Sequence, residues 1–159
     1  MENKNNLPEY IKGIPTAKNR SRERMVLIKT YYVNLWRKLQ REGLINKIYN
    51  DYLGVYVYVI QNESDKKTAN SASKNWQSTY AVKYLEAIVK NARCDDDEQV
   101  FFEPKLGTQK HNHYKNIAIL YYDFVDNNVP YMNFKVKLTI GIRSNGLHVQ
   151  YCVNKIEIK

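Results

Sequence analysis

Residues 132–153 read MNFKVKLTIGIRSNGLHVQYCV. In the first half, Met132, Phe134, Val136, Leu138, Ile140 and Ile142 alternate with Asn133, Lys135, Lys137, Thr139 and Gly141. A two-residue period of this length turns one face of a strand toward an apolar core and the other toward water. Asn145-Gly146 signals a type I′ hairpin. Leu147, Val149, Tyr151 and Val153 then continue the inward face on a returning strand, with His148, Gln150 and Cys152 on its polar face. Ile156 and Ile158 fall out of phase, which predicts a bulge near Asn154-Lys155. Upstream, residues 115–126 read as a further strand around Ile117, Ile119 and Tyr121, joined to the first by a turn at Asn127-Asn128. Val100-Phe101-Phe102 is a short strand closed by Pro104 and Gly107.

The first half of the chain has a different rhythm. Residues 1–20 read as an irregular arm broken by Pro8, Gly13 and Pro15, and residues 21–159 as one domain. Ser21 can cap a helix whose first turn holds Glu23. Met25, Ile28, Tyr32, Leu35, Trp36 and Leu39 recur at helical spacing, for about 20 residues up to Gly43. A second helical piece is expected from Leu44 to Asn50. Val55–Ile60 is β-branched and aromatic, as a buried strand requires. Helices follow over Lys66–Lys74 and, capped by Ser78, through Ala81, Leu85, Ile88 and Ala92. Helices, one strand, helices and an antiparallel meander give an α+β class.

The chain has 159 residues, with 25 basic and 16 acidic side chains and a net charge of +9. Residues 1–50 hold 11 of the basic and 4 of the acidic ones. A basic half suits a polyanionic partner, RNA or another nucleic acid first. Arg22, Lys29, Arg37 and Arg41 share the polar face of the long helix, which reads either as a solvated face or as a phosphate-contact face. No window reaches eighteen apolar residues, so no membrane partner is expected. The start of the chain lacks the apolar core of a secretory leader, and two cysteines, Cys94 and Cys152, make no disulfide framework, which together predict a cytoplasmic setting.

Phosphate-binding loops, nucleophile elbows and metalloprotease motifs are absent from the sequence. His111 and His113 flank Asn112, and on an extended backbone both rings point to one side. They read as a metal pair lacking a third ligand, as loop histidines, or as the acid and base of a metal-independent ribonuclease. For the last, Lys135, Lys137 and Thr139 on the wet face of the sheet offer charge for the phosphorane. No metal site and no cofactor are expected.

Several stretches resemble a known group. They are GTQKHNHYK at 107–115, the strand 132–142, VQYCV at 149–153, residues 50–60, SASK at 71–74 and STYA at 78–81. Across residues 16–158 the chain resembles domains of large polyvalent proteins of phages and conjugative elements of gut Bacteroidetes. Those domains look like the barnase–EndoU–colicin–RelE nucleases. The resemblance implies N-terminal helices packed on a four-stranded antiparallel sheet. It also implies RNA cleavage without metal, with His111 or His113 as base, Lys74 or Lys137 as phosphate clamp, and Thr139 or Tyr151 as positioner. The alternative is a non-catalytic accessory module that binds nucleic acid or a host protein to block defence; on either reading the partners to look for are RNA or another nucleic acid and a host or immunity protein.

Overall fold

A computed structural model describes residues 8–16, 22–95, 98–103, 114–125 and 132–156. In chain order the elements are β1 (Tyr10–Ile11), β2 (Ile14–Pro15), α1 (Arg22–Arg41), β3 (Lys47–Asn50), β4 (Val55–Tyr58), α2 (Ser64–Ala72), α3 (Trp76–Val82), α4 (Leu85–Asn91), β5 (Phe101–Phe102), β6 (Asn116–Val125), β7 (Asn133–Ile142) and β8 (His148–Ile156). The expected turn at Asn127-Asn128 and the cap at Ser21 lie outside the described residues.

The alternation over β7 does what its period requires. Phe134, Val136, Leu138 and Ile140 are buried in one core with Leu120 of β6 and Val153 of β8. α1 buries Ile28, Tyr32 and Leu39 and leaves Arg22, Lys29, Arg37 and Arg41 exposed. Arg24, on the inner face, is wholly buried. Its guanidinium donates to the carbonyls of Pro15 (2.9 Å) and Ser73 (3.2 Å), tying the β1–β2 hairpin to the turn after α2.

The sheet corrects the expected architecture. It has six strands in the order β3-β4-β8-β7-β6-β5, curled into a half-barrel. It is mixed, because β4 runs parallel to β8 through Val57↔His148 and Tyr58↔Val149. Beyond that short contact, α2 packs against β8. α1 stacks on α2, α3 and β2, and α4 packs on β3. Helices packed on a four-stranded antiparallel sheet, as the resemblance to the barnase–EndoU–colicin–RelE group implied, are therefore not the arrangement of this chain.

Local corrections follow from pairings that sequence periodicity does not contain. Lys47–Asn50 is not helical; it is β3, antiparallel to β4 with Tyr49 opposite Tyr56. Asn50 is wholly buried there. Its amide donates to the carbonyls of Val89 (2.7 Å) and Ala92 (3.0 Å) at the end of α4, and its oxygen accepts from the Leu53 amide. Ser78 is buried inside α3, and the cap is Asn75, whose side chain accepts from the Ser78 amide at 2.8 Å. The β7–β8 turn is not type I′, which needs two left-handed residues. Only Gly146 is left-handed in it (φ 88°), and Gly146 donates to the Arg143 carbonyl at 2.9 Å.

The bulge lies between Thr139 and Ile140, with Ile140 opposite Gln150 and Thr139 opposite Cys152, so that Tyr151 is the extra residue. It is not near Asn154-Lys155. The shift turns Gln150 inward, against the expected polar face. Gln150 is wholly buried and shares a closed network with Tyr32 and Thr68, at 2.5 Å to the tyrosine hydroxyl and 2.9 Å to the threonine. Among the described residues, no helix is long and apolar enough to cross a membrane.

Candidate functional site

Cross-strand partners share a face of a sheet. Val57 is in the core, so Tyr56 and Tyr58 of β4 turn outward, together with their partners Tyr49 and Lys47 on β3. Tyr58 pairs with Val149 and Val149 with Gly141, which carries the outer face onto β7, where Thr139 and Lys137 follow. α2 borders this face along β8. Its residues Lys67 and Ser71 stand one turn apart on the side facing Cys152.

At this seam between α2 and β8, side chains from four separate segments meet. Arg143, from the β7–β8 turn, directs one nitrogen at both oxygens of Glu63, at 2.9 and 2.8 Å. Tyr114, just before β6, is buried beside this pair. Its ring packs edge-on to Tyr151, with centroids 5.5 Å apart. The Lys67 ammonium sits 5.5 Å from the centroid of the Tyr151 ring. Cys152 lies against the hydroxyls of Thr139 and Ser71, within electrostatic reach of Lys137 and Lys67.

The electrostatics divide the seam in two. Tyr114 is held well above its ordinary pKa, chiefly by burial and then by the Glu63 carboxylate, which favours the neutral phenol; Arg143 offsets part of this. Burial also raises Tyr151 and Cys152. For the thiol, the Thr139 hydroxyl and then the Lys137 ammonium oppose the shift. The phenols and the thiol are therefore protonated donors near neutrality. Beside them Lys67 and Lys137 supply positive charge, while Arg143 is matched by Glu63. Such a set can hold a phosphodiester through charge-assisted hydrogen bonds. No three described His, Cys, Asp or Glu side chains come together as a metal-binding group.

Of the residues singled out from sequence, Lys137, Thr139 and Tyr151 are brought together here. Thr139 is buried, and Lys137 and Tyr151 are half-buried. Lys74 is exposed in the turn after α2, three residues beyond Ser71. Arg22, Lys29, Arg37 and Arg41 lie exposed along α1. His111 and His113 lie outside the described residues. Sequence reasoning missed Glu63, Lys67, Tyr114, Arg143 and Cys152. The available signals were the polar-face position of Cys152 and, for Lys67, its spacing of four and then three to Ser71 and Lys74, which aligns the three on one helical stripe.

Comparison of the chain with protein-family models, with curated proteins and with solved structures finds no match to any of them.

Proposed function

We propose that this chain is a nucleic-acid-binding accessory protein that takes a single-stranded RNA backbone along the seam between α2 and β8. The observation that carries the reading is that Lys67 of α2, its ammonium 5.5 Å from the Tyr151 ring, and Lys137 of β7, two residues from Thr139 on the same outward face, border one strip of β8 at Tyr151 and Cys152. Two lysines so placed give a phosphate both charge and donors at fixed positions. The net charge of +9 and the exposed cations of α1 add a long-range field that draws a polyanion toward the surface. The test is binding of a fluorescent single-stranded RNA as a function of salt. Lys67→Ala and Lys137→Ala should each lower the log–log slope by roughly 0.7. Slopes equal to wild type in both variants would overturn the reading.

A second reading, a metal-independent ribonuclease, is favoured by one observation. His113 is joined directly to Tyr114, whose ring is fixed against Tyr151 at the seam. Proton transfer near neutrality is the work of an imidazole, and the described part of the seam has none. Incubation of RNA with substoichiometric protein in EDTA, followed by analysis for 2′,3′-cyclic phosphate ends, separates the two. Turnover establishes the ribonuclease; intact RNA that is bound but not cleaved leaves the accessory protein.

A further inference from the structure

We infer that the outward face of the β3–β4 hairpin is a second contact surface for the same strand, one that stacks its bases rather than holding its phosphates; the inference rests on the nucleic-acid reading above. Tyr49 and Tyr56 are cross-strand partners whose ring centroids are 5.2 Å apart, set edge to face. They are 44% and 41% exposed, so both rings are open to a partner. Tyr52, in the hairpin turn, is exposed beside them at 43%. Lys47 holds its ammonium 4.5 Å from the centre of the Tyr56 ring.

The two rings also wall an open cleft of about 580 Å³ between the end of α1, the hairpin and α4. The cleft runs past the edge of β3, so that Leu39 and Ile48, from the core side of the sheet, line it together with Lys90. Glu42 and Glu86 share the single Lys38 ammonium, and Lys90 brings the charged lining to neutrality, so the cleft takes the base while Lys47 and the field of the whole chain attract the phosphates. Flat apolar walls with lysines at the edge match an unstacked base and its phosphate. An acidic peptide would use the lysines but leave the aromatic wall without a function. Continuity argues the same way. The outward side of the hairpin adjoins the seam through Tyr58, Val149 and Gly141, so one strand can engage both without leaving the face.

The experiment compares a fluorescein-labelled 20-nucleotide single-stranded RNA with an abasic strand of the same length and phosphate count, by anisotropy at fixed salt. Wild type should bind the base-bearing strand about ten-fold more tightly. The Tyr49→Ala/Tyr56→Ala double variant should lose that preference while binding the abasic strand like wild type. The Tyr49→Phe/Tyr56→Phe variant should keep it, since stacking needs the ring and not the hydroxyl. Equal affinity of wild type for both strands would overturn the inference with no variant involved. So would a folded alanine variant that keeps its preference. In either case the seam reading stands if Lys67→Ala and Lys137→Ala still lower the salt slope, and it falls alone if they do not while the tyrosine variants behave as described.

Discussion

Tyr114 and Gly141 are in such close apposition that a Cβ on Gly141 would stand 2.5 Å from Cε1 of the Tyr114 ring. The glycine is there to make room. Its missing side chain creates the slot in which the ring lies, between the outer face of β7 and Tyr151.

The first prediction concerns that slot. Gly141→Ala should expel the ring and cost about 1–3 kcal/mol of stability, as overpacking does. In a Tyr114→Ala background the same change should cost less than half as much, because the clash is gone. Additive costs in chemical denaturation would mean that the two residues are not coupled.

The second concerns Arg24. Arg24→Ala leaves the buried carbonyls of Pro15 and Ser73 without this donor, and should cost about 2–4 kcal/mol. Because one of these links holds β2, the variant should also be cleaved within residues 8–16 at protease levels that leave wild type intact. Lysine should restore little, since its single ammonium does not reproduce a fork reaching two carbonyls. Wild-type resistance in the alanine variant would show that the hairpin is held by other contacts.

The third is a pH dependence. Burial raises the pKa of Tyr32 far above the ordinary 10.0, and that of Tyr80 to about 12. A phenol raised in the folded state contributes stability that is fully present below pH 10 and is lost as pH climbs from there, since the unfolded chain ionises first. Wild type should therefore weaken steeply above pH 10. Tyr32→Phe should cost about 1–3 kcal/mol at pH 7 through its broken links to Thr68 and Gln150. That deficit should shrink between pH 10 and 12. A constant difference across this range, read by denaturation at each pH, would rule out linkage through Tyr32.

The fourth compares two sets of cations. Exchanging Arg22, Lys29, Arg37 and Arg41 together for Gln should slow association with RNA by weakening the long-range field. It should lower the salt slope less than Lys67→Ala/Lys137→Ala does, although it removes twice the charge. A larger drop for the α1 set in salt titrations would move the contact surface to that helix.

What the sequence made legible is local. The period of β7, the apolar stripe of α1 and the strands at Val55–Tyr58 and Asn116–Val125 are each written in a contiguous pattern, and the structure has them. What it hid is pairing. Lys47–Asn50 is four residues with one outward tyrosine, too short to show a period, and it becomes a strand because β4 folds back on it. The parallel contact of β4 with β8 joins Val57 to His148, and nothing in either segment names the other. The bulge at Tyr151 reverses the side to which Gln150 points, so a polar residue read as wet is wholly buried. The seam was half legible for the same reason. Lys137 and Thr139 sit on a strand whose alternation put them on the wet face, whereas Tyr151 was read as inward until the bulge turned it out, and Glu63 and Arg143 are 80 positions apart and meet only once the chain is folded.

Asn50 has a bearing on how this protein behaves in a crowded solution. A terminal strand of a sheet is a template on which another chain can grow. Here one terminal strand, β5, is only two residues long. At the other, the Asn50 side chain and the Asp51 amide fasten the end of β3 to the carbonyls of α4 (Asp51 to Lys90, 3.1 Å). The same bonds that finish a helix therefore also deny a foothold to fibrillar growth. An Asn50→Val exchange would be tolerated by strand propensity, yet it would turn a shielded margin into an adhesive one, with turbidity and thioflavin fluorescence rising before the fold itself fails.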